Sequence, residues 1–391
     1  MNILKPVHLV KDIFSVGKSK ILFNNKKQGE NTNYYFNISK AKKRLGYPVY
    51  PQMGEDFISY LSVVNLLFNC SEKSLNISSK QNEQILMTTY DFPQRISIEI
   101  TNNCNYLCAM CPQSALVRKK GFISPGFYKK IIDECIKYNP MVWNHFIGEP
   151  LLHKDFFELL EYSVKKRIRS GFSTNGSFLD GSVIMKILKS SVERIELSLD
   201  ALKKETYNDV RGMKNFNEIE KNVNQLLKTK YDMGLEKPVV SIQFVKQHKN
   251  IHELEEFTRK WSKILKGKDF VKSIDFITWA GTKTNNNNAE LKLPSQRVPC
   301  GRIWKSLVVL WNGEVTPCTS DYNGELVIGN IKDDSIKNIW RNERLRKLRS
   351  SHDFNSFEKY PLCANCNEWI LENDTDKYKN ISIKNLEGHL Q

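Results

Sequence analysis

The sequence predicts an α/β protein: an open, partial (β/α)6 barrel followed by a small cysteine-bearing domain. Three observations point there. From Arg95 onward, short β-branched or alternating runs precede longer segments of helical period, the pattern of parallel β/α units. Six such units fit between residues 95 and 278, whereas a complete barrel needs eight. Beyond residue 299 the pattern changes to short strands with Asn-Gly turns and spaced cysteines.

Residues 1–90 are rich in Asn, Lys and Ser and contain no repeat, so they form an N-terminal extension. Strands are expected at 95–100, 141–146, 169–174, 193–198, 239–243 and 273–278. Helices are expected at 125–138, 156–166, 181–190, 216–231 and 252–265. The first carries Phe127, Ile131, Ile132, Cys135 and Ile136 on one apolar face. The barrel domain is placed at 91–284, with the Asn run 285–288 as a linker. A second domain, 285–372, holds a hairpin of 308–311 and 314–316 about Asn312-Gly313, then a basic helix at 336–348. The tail, 373–391, is polar and expected to be poorly ordered.

Composition narrows the functional classes. Hydrophobic residues are 40% and charged residues 26% of 391, which excludes a wholly disordered chain. No window approaches the ~20 apolar residues of a spanning helix, and the N-terminus lacks the apolar core of a secretory signal. A cytoplasmic location is therefore expected. Nine cysteines are too few for a disulfide scaffold in a chain this long, and their clustering points to metal in a reducing compartment. The net charge is +16, but the basic residues form no single stripe and no nucleic-acid-binding motif accompanies them. Charge spread over solvated faces is the plain reading, and an acidic protein partner is the sharper one.

Cys104, Cys108 and Cys111 follow the first strand with the spacing C-x3-C-x2-C. Thiolates bind soft metals, and three of them without a nearby His suit iron–sulfur better than most zinc sites. Three ligands leave one coordination position open to a substrate or cofactor. A zinc knuckle borrowing a fourth ligand is the competing reading.

This loop resembles the hallmark of the radical S-adenosylmethionine (radical SAM) enzymes. Further matches follow in order: Gly148-Glu149-Pro150, Ser173-Thr174-Asn175-Gly176, Ser198-Leu199-Asp200-Ala201 and Arg211-Gly212. Those at the ends of the second to fourth strands fall on the rim where β/α sheets bind ligands. The resemblance implies a 4Fe-4S cluster on the three cysteines, with S-adenosylmethionine on the fourth iron. It also implies that the Gly148–Pro150 backbone holds the methionine amino group, that Ser198 and Asp200 reach the ribose, and that Arg211 pairs with the methionine carboxylate. Ser173, Asn175 and Gln243 complete the expected cofactor environment. Two positions depart from the family: Met110 stands where an aromatic residue is usual, and Ile147 replaces the first Gly of Gly-Gly-Glu-Pro.

Cys300, Cys318, Cys363 and Cys366 form a second set, C-x17-C-x44-C-x2-C, sufficient to close a cluster or to hold a structural zinc. The region resembles the SPASM auxiliary domain. With no cysteine after Cys366, it resembles the short, one-cluster form called twitch. That form occurs in a radical SAM dehydrogenase that oxidises an aminocyclitol alcohol. An auxiliary 4Fe-4S cluster is therefore expected. Cys135 reads as core packing, and Cys70 is uninformative. His145, beside Gly148-Glu149-Pro150, could face the cavity, and His153 could orient a loop.

Residues 34–48 resemble the Ser-Lys-Ala…Leu-Gly-Tyr stretch near the C-terminus of nucleotide-sugar epimerases, without the glycine-rich dinucleotide loop. The expected function is radical SAM chemistry on a carbohydrate or cyclitol carbon, most simply its oxidation, with a flavodoxin or ferredoxin as reductant. The small-molecule substrate could be a sugar nucleotide. Peptide maturation, sugar epimerisation and a non-enzymatic cluster- or zinc-binding role are the alternatives.

Overall fold

The computed structural model describes residues 91–283, 297 and 299–369. The chain divides into two compact units, Met1–Asn76 and Ile77–Gln391, and the described residues all belong to the second. The N-terminal extension, Cys70, the Asn run and the tail lie outside the described residues. Among the described residues no helix is long and apolar enough to cross a membrane.

Six parallel strands form the barrel wall in sequence order. They are β1 (Arg95–Ile98), β2 (Met141–Trp143), β3 (Ser170–Thr174), β4 (Arg194–Ser198), β5 (Val239–Lys246) and β6 (Phe270–Asp275). Helices return the chain between them: α1 (Pro125–Cys135), α2 (Phe156–Lys165), α3 (Gly181–Lys189), α4 (Lys204–Arg211), α5 (Phe216–Asp232) and α6 (Leu254–Ile264). Strand periodicity sends alternate side chains to opposite faces. Ile96, Ile98, Val142, Phe172, Ile195, Leu197, Val240 and Ile242 are fully buried in the core shared with the helices. The intervening residues, such as Trp143, Ser173, Glu196, Ser198 and Gln243, therefore face the barrel interior.

Several details differ from the sequence expectation. The sixth strand starts at Phe270, not at 273, because it registers on β5 from Ser241↔Phe270. Residues 276–278 leave the sheet instead. In α1, Tyr128 takes the buried face, its hydroxyl donating to Asn144 at 2.9 Å, while Ile136 is largely exposed. Helix α4 was not foreseen, since its eight residues carry only Tyr207 and Val210 as apolar anchors. Cys135 is fully buried in the core, as its apolar neighbours suggested.

The C-terminal region continues the same sheet. Strand β7 (Ser306–Val309) pairs parallel with β1, from Arg95↔Ser306 to Ile98↔Val309, and β8 (Glu314–Thr316) and β9 (Gly329–Asn330) follow antiparallel. The hairpin is slipped by one residue from a two-residue turn. Val309 faces Val315, and Trp311-Asn312-Gly313 make a three-residue loop with Gly313 at φ +90°. The slip leaves the Trp311 N–H free to donate to Glu99 at 3.2 Å. The basic helix is two: α7 (Ile336–Trp340) and α8 (Glu343–Asp353). Asn342 breaks it by capping α8 through Leu345 N, at 2.9 Å, while its amide donates to Ile328 O at 2.7 Å. A last turn, α9 (Pro361–Ala364), carries Cys363.

One buried ion pair fastens β1 to the hairpin. Arg118 donates to both Glu99 oxygens at 2.9 and 2.7 Å, and its Nε donates to Tyr322 O at 2.7 Å. Glu99 is fully buried, and burial holds its carboxyl above the usual carboxylate range against the pull of Arg118. Arg118→Met should leave that carboxylate uncompensated and cost about 3–5 kcal/mol. The double variant Glu99→Gln/Arg118→Met should recover a large part of the loss in urea denaturation. Equal destabilisation of the two would show that Arg118 acts through packing alone.

Candidate active site

The cysteine loop has no regular structure of its own between β1 and a short 3-10 turn at Pro112–Ala115. Neighbouring strand ends hold it. After β2, Gly148 sits at φ +102°, and a Cβ there would lie 2.4 Å from Thr101 O and 2.7 Å from Asn103 O. Only glycine allows that approach. The next amide, Glu149 N–H, donates to Asn103 O at 2.8 Å. After β3, Asn175 Nδ2 donates to Asn105 Oδ1 at 2.9 Å. After β4, the Ala109 N–H donates to Val210 O at 2.9 Å at the end of α4. Tyr106 donates to Asn215 at 3.0 Å and accepts from Tyr207 at 3.2 Å. After β6, Trp279 Nε1 donates to Met110 O at 2.9 Å.

Several expected cofactor residues prove to be engaged within the protein. The buried Glu149 carboxylate accepts from Leu151 N at 3.2 Å, Thr174 Oγ1 at 2.8 Å and Asn175 N at 2.8 Å. Burial pushes its pKa up to about 7, against these three donors. Gly148 O accepts from His145 Nε2 at 3.2 Å, and Pro150 O from His153 N at 3.0 Å. Asp200, at φ +62° and with no exposure, does not offer its carboxylate to a ribose. Its oxygens accept from Arg211 Nη1 at 2.9 Å and Val245 N at 2.7 Å. Arg211 is buried over the Tyr106 ring, and its Nε has no partner among the described residues. Ser198 and Gln243 face each other in register and, among the described residues, their side chains have no hydrogen-bond partner. His153 orients its loop, with Nε2 to Ile123 O at 2.8 Å and Nδ1 accepting from Asp155 N at 3.0 Å.

Below the rim, a polar chain crosses the inner wall. Trp143 Nε1 donates to Ser173 at 3.1 Å, Ser173 donates to Glu196 at 3.2 Å, and Lys272 donates to Glu196 at 2.5 Å. His145 stands near Glu196, and burial pushes its pKa down to about 4, so the imidazole is neutral at pH 7. Sequence reading missed Glu196 and Lys272. The alternation of Ile195, Glu196, Leu197 and Ser198 on a strand is the signal that marks Glu196 as inward.

Both thiol sets are close enough to perturb their own members. Burial, and then the neighbouring thiols, push Cys111 up to about 12; burial raises Cys104 to about 11 and Cys108 in the same direction. Burial, then Cys318 and Cys300, lift Cys363 to about 12. None of the eight described cysteines is in a disulfide. Among the described residues, no three His, Cys, Asp or Glu side chains converge on one point as ligands of a single ion.

Residues 98–260 match the radical SAM superfamily, and residues 300–367 match SPASM, an iron–sulfur cluster-binding domain. The chain belongs to the SPASM-containing radical SAM enzymes. A curated relative is the tungsten-containing aldehyde ferredoxin oxidoreductase cofactor-modifying protein of Pyrococcus furiosus, 23% identical over 72% of this chain and 91% of its own. Another is the S-adenosyl-L-methionine-dependent 2-deoxy-scyllo-inosamine dehydrogenase of Niallia circulans, 26% identical over 71% and 94%. Among solved structures, Streptococcus suis SuiB bound to precursor peptide SuiA shares the fold with TM-score 0.55 at 16% identity, covering 80% of this chain and 77% of that one.

Membership implies a 4Fe-4S cluster with S-adenosylmethionine, and auxiliary iron–sulfur in the SPASM domain. The donor sets fit. Cys104, Cys108, Cys111, Cys363 and Cys366, whose thiols burial holds up, ionise readily only against a cation, which a cluster would supply. Arg211 Nε is a buried donor with no partner among the described residues, and Ser198 and Gln243 present polar side chains to the barrel interior. Cys300, Cys318, Cys363 and Cys366 line one cavity.

Full-length protein reconstituted without oxygen should hold about eight irons, two four-iron clusters by ligand count. Gly148→Ala should displace the cysteine loop and drop iron towards about four, as should Cys104, Cys108 and Cys111 replaced together by Ala. Full iron with undiminished S-adenosylmethionine binding in Gly148→Ala would show that the close approach is dispensable. Stoichiometric zinc in place of iron would remove the cluster assignment.

Proposed function

We propose that this chain is a radical SAM dehydrogenase that oxidises a C–H bond beside a hydroxyl on a carbohydrate or cyclitol, nucleotide-linked or free. The observation that carries the reading is the polar chain Trp143–Ser173–Glu196–Lys272 on the inner wall, with Ser198 and Gln243 above it. A substrate dense in hydroxyls matches such a surface; an apolar side chain does not. The relative that dehydrogenates an aminocyclitol, matched over 94% of its length, supports the same class.

When bound, S-adenosylmethionine and the cluster on Cys104, Cys108 and Cys111 supply a 5′-deoxyadenosyl radical that takes one hydrogen atom from the substrate carbon. The chain's residues do the rest by position, because so reactive a species is selective only through distance. Lys272 and Glu196 present a donor and an acceptor of opposite charge, suited to adjacent hydroxyls. His145 donates through Nε2 to Gly148 O, so its Nδ1 carries a lone pair that can accept a hydrogen bond from a substrate hydroxyl. Cys300, Cys318, Cys363 and Cys366, which line one cavity, would hold the auxiliary cluster, and that cluster would supply an acceptor for the remaining electron. Epimerisation would instead need a hydrogen-atom donor, and Cys135 is buried on the helix side of the wall. An acidic flavodoxin or ferredoxin is the proposed reductant, matching the +16 net charge.

The test is to offer the holoenzyme perdeuterated aminocyclitols and sugar nucleotides and, separately, a labelled candidate peptide. Deuterium should enter 5′-deoxyadenosine only from the carbohydrate. Transfer only from the peptide would replace this substrate class with peptide maturation. Lys272→Met should raise KM about tenfold, the loss of one charge-assisted hydrogen bond. It should leave unproductive S-adenosylmethionine cleavage in place. An unchanged KM would remove Lys272 from the substrate surface.

A further inference from the structure

The auxiliary site contains two donors that have no partner among the described residues. His352, near the end of α8, is 1% exposed. Its ring is fixed edge-on against Phe357, at 5.0 Å, and Trp304, at 6.3 Å. The Cys300 N–H donates to its Nδ1 at 3.2 Å, so in the neutral ring the proton sits on Nε2. That Nε2 is buried and has no partner among the described residues. Arg297 repeats the situation. Its guanidinium lies over the Phe357 ring at 4.1 Å and donates from Nη2 to Cys363 O at 2.7 Å and from Nη1 to Ala364 O at 3.3 Å. Its Nε is buried and has no partner among the described residues. Both residues line the cavity that the four thiols line.

A buried N–H without an acceptor is costly, so two of them around one cavity point to an acceptor that belongs there. Sulfur of a four-iron cluster is such an acceptor. Each electron added to a cluster adds negative charge to its sulfurs, so donors aimed at them stabilise the reduced form and raise the potential. The fixed positive charge of Arg297 acts in the same direction.

We propose that His352 Nε2–H and Arg297 Nε–H donate to sulfur of the auxiliary cluster and set its potential high enough to receive the electron from the substrate. This rests on the dehydrogenase reading for its purpose, but not for its measurement. Electron balance is closed within the reaction: the substrate loses one electron and the auxiliary cluster gains it.

The experiment uses the full chain with Cys104, Cys108 and Cys111 replaced by Ala and reconstituted without oxygen, so that only the auxiliary cluster is titrated by EPR. His352→Asn keeps an acceptor for the Cys300 N–H but removes the Nε2 donor. His352→Gln places an amide N–H near the Nε2 position. The Asn variant should hold about four irons and bind its electron about tenfold more weakly, ~59 mV more negative for one electron. The Gln variant should stay near the parent, and Arg297→Met should shift as the Asn variant does. An unchanged potential in the Asn and Met variants with iron retained would overturn the proposal. So would an equal shift in Asn and Gln, or cluster loss in Asn, since either would make His352 a packing residue. A parent protein that takes up no iron would remove the auxiliary cluster itself, a result separate from an unchanged potential. Failure of deuterium transfer from carbohydrates would leave the measured potential untouched.

Discussion

The approach of Gly148 to the cysteine loop is the constraint on which the rim depends. Three thiols on an irregular loop need outside support, because such a loop has no ladder of its own to fix it. The carbonyls of Thr101 and Asn103 are so near Gly148 that any side chain there would collide with them. Once that contact is set, Glu149 N–H reaches Asn103, Thr174 and Asn175 reach the Glu149 carboxylate, and Asn175 reaches Asn105. Strand ends two and three thus become one hydrogen-bonded shelf under the loop. Arg211 is placed by Asp200 in the same manner, with α4 carrying it to the Tyr106 ring.

A second consequence concerns the two thiol sets. Strand β7 lies in the barrel sheet beside β1, so the auxiliary region cannot swing independently of the cysteine loop that follows β1. The segment after β6 adds a cross-link. Trp279 and Ala280, both left-handed, join Met110 O on one side to the Glu368 carboxylate on the other, at 2.9 and 3.4 Å. Glu368 N–H in turn donates to Cys366 Sγ at 3.3 Å. The path from Cys111 to Cys366 runs through one short segment of backbone. The two thiol sets are therefore held in fixed positions relative to each other by the sheet and by this segment.

The wall and its order were legible because strand and helix periods are strong over 95–278, and because the motifs recur at strand ends. The joint between β1 and β7 was not, since parallel pairing between strands so far apart leaves no local trace. Helix α4 escaped because a short, very polar segment shows little periodicity until Tyr207 and Val210 are seen to be buried. The grouping of the last four cysteines was legible from spacing, and they line one cavity. The division of labour among Ser198, Asp200, Arg211 and Asn175 was not, because a motif names a residue without saying where its side chain points. Asp200 shows the difference: it belongs to the motif, yet both oxygens face the protein.

The polarity of the inner wall is itself an argument for a site. Glu196 is 7% exposed, and removing a carboxylate from water is costly unless partners compensate. On the opposite face of the same strand, Ile195 and Leu197 pack with the helices and need no such compensation. If stability alone shaped the interior, apolar residues would serve on both faces, as they do where parallel sheets are covered on each side. Instead Trp143, Ser173, Glu196 and Lys272 satisfy one another, while the side chains of Ser198 and Gln243 have no partner among the described residues. A lumen that fixes its own charged pair and leaves neighbouring polar groups open is arranged to recognise something polar. The neutral His145 beside it offers a hydrogen-bond acceptor without adding positive charge next to Arg211, a role that Lys272 cannot fill.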